Sequence, residues 1–263
     1  MDPLREGARL HTTVEEWMAA WRQQIDGDRM FGLREVPVVL PGRGLAEGVS
    51  GARVVDAATR DAKAAQLHVI DEREVQGCRR CELCKTRTRT VFGQGDPAAR
   101  LVFVGEAPGF DEDRQGLAFV GRAGQLLTRM IAAMGLTRDE VFICNVLKCR
   151  PPENRDPLAD EVLACSPYLF RQLAIIDPQV IVALGSPAAK TLLNTAESIG
   201  RLRGRFHDFY LEGGADPARR VPLMPTYHPA YLLRNPGEKR KAWEDLQQVM
   251  ELMSLKMPVG GTV

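Results

Sequence analysis

No apolar run in this 263-residue chain approaches the roughly 20 residues that a membrane span needs. Its opening, Met1-Asp2-Pro3-Leu4-Arg5-Glu6, lacks the apolar core of a secretion signal, so the expectation is a soluble cytoplasmic protein. No charge sign dominates either: 35 Lys and Arg face 34 Asp and Glu, for a formal net charge of +1. That balance alone does not establish a nucleic-acid partner, but it does locate any basic patch. Residues 1–77 carry 10 basic and 13 acidic side chains, and residues 78–263 carry 25 and 21. Internal repeats are absent, as are the Gly-Lys-Ser/Thr of a phosphate loop and the GxGxxG of a dinucleotide site. Without a secretion signal, the 6 cysteines argue for metal, redox or core roles rather than a disulfide framework.

What is present is ordinary globular composition, 44% hydrophobic and 26% charged, at a length that suits one domain with an appendage. Val14, Trp17, Met18, Trp21 and Ile25 recur at helical spacing behind Thr12 and Thr13, which predicts a helix over 12–25. A Gly- and Pro-rich arm follows over 32–52. Residues 1–77 thus read as an N-terminal extension of unknown role, helix plus arm, and 78–263 as the main domain. There, apolar runs at Leu101–Val104, Val141–Val146, Val180–Leu184 and Val221–Met224 read as buried parallel strands. Helices are predicted at Ala123–Met134, Leu158–Ala174, Ser186–Asn194 and Glu238–Met253. The alternation makes an α/β fold: a central four-stranded parallel sheet flanked by helices, with an N-terminal helical extension. A ligand crevice then lies beyond the carboxyl ends of the strands.

Cys78-Arg-Arg-Cys81-Glu-Leu-Cys84 lets one short loop wrap a soft metal centre. No cysteine followed by proline completes a ferredoxin-type run, so further ligands must come from afar. Cys149 follows a strand and Cys165 lies in the next helix, where both can reach one point. Cys144, within a strand, reads as core. Four thiolates suit zinc or a [4Fe–4S] cluster, and spacing does not separate the two.

The crevice segments carry GEAPG-x-x-ED at Gly105–Asp113, G-x-x-FVG-x-AG-x-LL at Gly116–Leu127, N-x-x-KCRPP-x-NR-x-P at Asn145–Pro157, a cysteine at 165, and HPAYLLRNP at His228–Pro236. In this order, over about residues 78–250, they resemble the family-four, iron–sulfur uracil-DNA glycosylases of bacteria and archaea. The first 77 residues lie outside the resemblance. It implies a monomeric enzyme that flips uracil out of single- or double-stranded DNA and hydrolyses its N-glycosidic bond, leaving an abasic site for base excision repair. It also implies a structural [4Fe–4S] cluster on Cys78, Cys81, Cys149 and Cys165, with Cys84 surplus.

In that frame Phe119 stacks on the uracil and Asn145 reads its O4 and N3–H edge. Glu112 falls beside uracil C5, where thymine's methyl would clash. His228 donates to O2 as the uracil leaves as an anion. Glu106 orients water or stabilises the sugar cation. Ala107 stands where other glycosylase families carry an acidic base, which leaves the general base open, and none is needed if the sugar cation forms first. Arg201, Arg203, Arg205 and Arg234 are expected on DNA phosphates. Leu232 and Leu233 either wedge into the duplex or pack in the core. Two competing readings remain. A relative forming a covalent adduct with the sugar would carry an Arg- and His-containing insertion, which Asn145–Pro157 lacks. A non-catalytic iron–sulfur DNA-binding module would not need Phe119, Asn145 and His228 together.

Overall fold

The computed structural model describes residues 55–211 and 219–255. The helix expected over 12–25 and the arm over 32–52 lie outside the described residues. No described helix is long and apolar enough to cross a membrane.

A six-stranded sheet orders β1 (Gln94–Gly95), β3 (Phe142–Asn145), β2 (Leu101–Gly105), β4 (Val180–Leu184), β6 (Arg220–Thr226) and β5 (His207–Tyr210) side by side. The four expected strands, β3-β2-β4-β6, are its parallel centre. Their unbroken apolar runs reflect burial on both faces: every residue of β2, β3 and β4 is buried. The unanticipated β1 and β5 pair antiparallel at the two edges.

Successive side chains alternate between two layers. Val102, Val104, Ile181 and Ala183 pack against α1 (Ala57–Ile70), α4 (Ala159–Ile176) and α5 (Ser186–Leu193). Leu101, Phe103, Val180 and Val182 face α3 (Arg122–Ala133) and α8 (Lys239–Leu252). Short helices α2 (Phe110–Gln115), α6 (Ile199–Leu202) and α7 (Pro229–Arg234) sit in the connections. The predicted stops hold for physical reasons. Gly135 follows α3 with φ of +79°, and Asp177 closes α4 in a left-handed turn before Pro178. α1 was not read from sequence. It buries Leu67 and Ile70 and runs through a single π turn at Asp71–Val75 into the cysteine segment.

One expectation needs correcting here. Arg203 is not free to meet DNA: its side chain is 14% exposed and its Nη2 donates to Oδ1 of the fully buried Asp245 on α8 at 2.7 Å. Its Nε donates to the other carboxylate oxygen at 3.0 Å, where Thr226 Oγ1 also donates at 2.6 Å. The ion pair ties α8 to the end of α6, and the Thr226 hydrogen bond ties it to the carboxyl end of β6. Leu232, 1% exposed, is likewise core rather than wedge.

Removing one partner of such a pair leaves an uncompensated buried charge, at a cost of roughly 3–5 kcal/mol. Arg203→Met should therefore lower the unfolding free energy by about 3 kcal/mol or more in urea titrations. A loss within about 0.5 kcal/mol, the scale of a surface substitution, would mean that Arg203 behaves as an exposed residue.

Candidate active site and cysteine cavity

Gly105 and Asn145 are paired neighbours at the carboxyl ends of β2 and β3. A Cβ on Gly105 would lie 2.3 Å from Asn145 Oδ1 and 2.5 Å from Phe119 Cζ, so amide and ring converge on the space that glycine leaves. Asn145 is 1% exposed and its Oδ1 has no hydrogen-bond partner among the described residues. A buried acceptor left unpaired costs roughly 1–3 kcal/mol, and native structures keep few of them.

Phe119 sits in the left-handed region at φ of +53°, costly for an aromatic residue. Two features hold it there. A Cβ on Gly124 would meet the Phe119 carbonyl oxygen at 1.9 Å, so only glycine admits the loop against the first turn of α3. The buried Glu112 places Oε1 where the N–H groups of Val120 and Gly121 both donate to it at 2.8 Å. The carboxylate expected at the uracil edge is thus also the brace of the Phe119 loop.

His228 opens α7, and its Nδ1 accepts the Ala230 N–H at 3.1 Å. Burial, helped by nearby Arg234, pushes its pKa down to about 4. The ring is therefore neutral near pH 7, and with Nδ1 accepting, its proton resides on Nε2. Its centroid lies 5.6 Å from that of Phe119. Gly185, at φ of +91° after β4, makes room for it: a Cβ there would fall 2.9 Å from His228 Cβ. Glu106 follows Gly105, and burial with a lesser contribution from Asp156 raises its pKa to about 7. The structure thus gathers Phe119, Asn145 and His228, with Glu106 and Ala107 directly after Gly105. Arg201, Arg205 and Arg234 are exposed.

Among the described residues, no group of three or more His, Cys, Asp or Glu stands ready to hold a single metal ion. Cys78, Cys81, Cys149 and Cys165 nevertheless line one cavity, together with Arg87, Lys148 and Tyr168, whereas Cys84 and Cys144 do not line it. Donors already point at three of the sulfurs. Arg87 Nη1 lies 3.2 Å from Cys149, the Lys148 N–H 3.2 Å from Cys165 and the Tyr168 hydroxyl 3.4 Å from Cys78. Burial pushes the Cys149 thiol up to about 11 and Cys165 to about 12.

Two connections were not read from sequence. Lys148, 1% exposed, donates from Nζ to the Asn145 carbonyl oxygen at 2.8 Å and to Gln172 Oε1 at 2.5 Å, linking the site to the cavity wall. Asp113 accepts the Thr88 N–H at 2.9 Å, tying α2 to the segment after the cysteine run. The signal was there: a lysine in an otherwise buried run, and polar Gln172 one helical turn from Tyr168 on the inner side of α4.

Residues 92–247 match the Uracil DNA glycosylase superfamily. The chain is 46% identical over 188 residues to the type-4 uracil-DNA glycosylase of Saccharolobus solfataricus, covering 70% of this chain and 85% of that one. It is 45% identical over 190 residues to the type-4 enzyme of Archaeoglobus fulgidus, covering 71% and 93%. With the type-4 enzyme of Sulfurisphaera tokodaii it shares 47% over 185 residues, covering 68% and 81%.

Asn145→Ala removes the partnerless acceptor, so it should change stability by less than about 1 kcal/mol despite the lost volume, well short of the 2–5 kcal/mol of an ordinary core truncation. Chemical denaturation measures this, and a loss above about 2 kcal/mol would show that the amide is a structural anchor.

Proposed function

We propose a uracil-specific excision mechanism for this chain, which belongs to the uracil DNA glycosylase superfamily and, within it, to the type-4 enzymes. It is a DNA glycosylase, a hydrolase of N-glycosidic bonds serving base excision repair. The observation that carries the assignment of residues is the buried, unpaired Oδ1 of Asn145 facing the same space as the Phe119 ring.

Uracil flipped from the stack would lie on Phe119. Asn145 Nδ2 donates to O4 and Oδ1 accepts from N3–H. Cytosine presents the reverse pattern, an amine at C4 and a bare N3. As the glycosidic bond breaks, negative charge collects on the departing base, and the neutral His228 donates from Nε2 to O2. That donor is set before the reaction begins, which is why it favours the transition state over the ground state. Glu106, as a carboxylate, stabilises the sugar cation and orients the water that captures it. Ala107 carries no base, consistent with departure of uracil preceding attack. Glu112 keeps the C5 side closed through the loop it braces, and Arg201, Arg205 and Arg234 take phosphates.

Cys78, Cys81, Cys149 and Cys165 suit a [4Fe–4S] cluster, because they share a cavity with donors already directed at three sulfurs. When bound, the cluster supplies a structural cross-link among the cysteine segment, the exit of β3 and α4. Its positive iron centres also offset the burial that otherwise disfavours these thiolates.

Three measurements test this reading. Purified protein should excise uracil from an oligonucleotide while leaving cytosine and thymine controls intact, and Asn145→Asp should lose most of that activity because a carboxylate repels O4. Protein purified without oxygen should absorb near 400 nm and hold about four irons, retained in Cys144→Ala and lost in Cys149→Ala. Stoichiometric zinc in place of iron would overturn the cluster. Finally, single-turnover rates should rise with pH to a plateau with an inflection near 7, set by ionisation of Glu106. His228, titrating near 4, should add no inflection above about pH 5. Glu106→Gln should abolish the inflection, and its persistence would remove Glu106 from this role.

A further inference from the structure

Among the described residues, the most exposed large apolar side chain is Phe110, at 51%. It begins α2, two residues before Glu112, whose carboxylate holds the Phe119 loop. Two guanidiniums stand over its ring. Arg114, one turn further along α2, lies 5.6 Å from the centroid, and Arg150, on the loop leaving β3, lies 5.2 Å away. Neither is paired with a carboxylate among the described residues. Arg150 Nε donates to Asn154 Oδ1 at 2.7 Å, which steadies the side chain and leaves its terminal nitrogens to other acceptors. The neighbouring Asp111 does not cancel this charge, since its carboxylate lies toward Gly121.

A guanidinium over an aromatic ring is held in one orientation with its in-plane N–H donors still available, the geometry that matches the paired oxygens of a phosphate. The two arginines come from the segments that follow neighbouring strands, Arg114 on α2 after β2 and Arg150 on the loop after β3. Arg201, Arg205 and Arg234 belong to the β4–β6 half of the sheet, so the β2–β3 half has no phosphate contact assigned to it. Phosphate contacts fix the register and orientation of a nucleic acid on its protein, and contacts at both lips of the pocket would fix a strand more firmly than contacts at one. We infer that Phe110, Arg114 and Arg150 form a phosphate grip for the DNA strand at the β2–β3 lip of the pocket, with Phe110 as the platform that aims the two guanidiniums. This rests on the reading of the chain as an enzyme acting on DNA.

Ion release makes the grip measurable. Each phosphate contact contributes about 0.9 to the slope of log affinity against log salt concentration on duplex DNA. With the cluster-loaded protein and a uracil-containing duplex, Arg114→Gln and Arg150→Gln should each lower the slope by about 0.9, and the double variant by about 1.8. Phe110→Ala should weaken binding while keeping the wild-type slope. Arg60→Gln provides the control. It lies on α1, paired at 3.1 Å with Asp96, which sits beside the amino ends of β2 and β3, opposite the crevice, and should leave affinity and slope unchanged. An unchanged slope in the double variant overturns the grip. So does a Phe110→Ala defect confined to duplex and absent on single strands, which would make the ring a wedge. Absence of uracil excision by the unsubstituted protein, in contrast, would count against the functional reading and not against the grip, because the slope reports binding alone.

Discussion

The buried Lys148 side chain joins Asn145 at the end of β3 to the wall of the cysteine cavity. Among the described residues, it has no carboxylate within hydrogen-bonding reach. Its Nζ is held by a backbone carbonyl, by the Gln172 amide and by the face of Phe92, whose centroid is 5.8 Å away. Burial pushes its pKa down, with Cys144, Cys165 and Asp71 pulling weakly the other way. Gln172 passes the constraint on, donating to the Phe92 carbonyl at 2.9 Å. The Lys148 main chain gives its N–H to Cys165 and accepts the Val91 N–H at 2.8 Å. One residue thus fixes the exit of β3, the inner face of α4 and the segment that follows the cysteine run. A site whose parts come from distant stretches of chain needs such a fastening, because a shift of even 1 Å in a reading group costs much of its selectivity.

The sequence made legible what burial writes into composition. The four central strands are apolar on both faces and so appeared as unbroken runs, and their helices appeared through periodicity and through stops at Gly135 and Asp177-Pro178. What was illegible had weak local signals. β1 has 2 residues and β5 has 4, and each exists because a neighbour supplies its hydrogen bonds. α1 buries only Leu67 and Ile70, too narrow a stripe to announce a helix amid alanines and charges. In the site, Phe119, Asn145 and His228 took their roles from the family resemblance; alone, a ring among glycines, an amide ending a strand and a histidine before proline suit structural roles as well. Arg203 was misjudged because direction is not written in an Arg-x-Arg-x-Arg run. Its partner Asp245 lies 42 residues away and turns the middle arginine inward.

Several of the site's members are held where the fold alone would not put them. Phe119 has a left-handed backbone, Asn145 an unpaired oxygen, and His228 and Glu106 have lost the water that would favour their charged forms. The pH signs differ accordingly. Desolvation of His228 makes its contribution to stability fall as pH drops from about 6.5 toward 4. Desolvation of Glu106 makes its contribution fall as pH rises from about 4.5 to about 7, with no further loss above that. These costs are borne by rigid surroundings: paired strand ends, glycines that leave no room for drift, and the Glu112 brace.

That rigidity gives the unpaired oxygen its selectivity on the proposed reading. In a pliable pocket, Asn145 would turn to satisfy itself from the protein, and a cytosine would cost nothing extra. Here the amide is packed between Gly105 and Phe119, so Oδ1 gains a partner only when the entering base brings an N–H at the facing position. A base with a bare nitrogen there leaves the oxygen still unpaired and adds a second mismatch at the exocyclic group. Each mismatch is worth roughly 1–3 kcal/mol, so the pair multiplies to a discrimination of about thirtyfold or more before any chemistry occurs. The defect in the free protein and the specificity of the loaded one are then the same atom in two states.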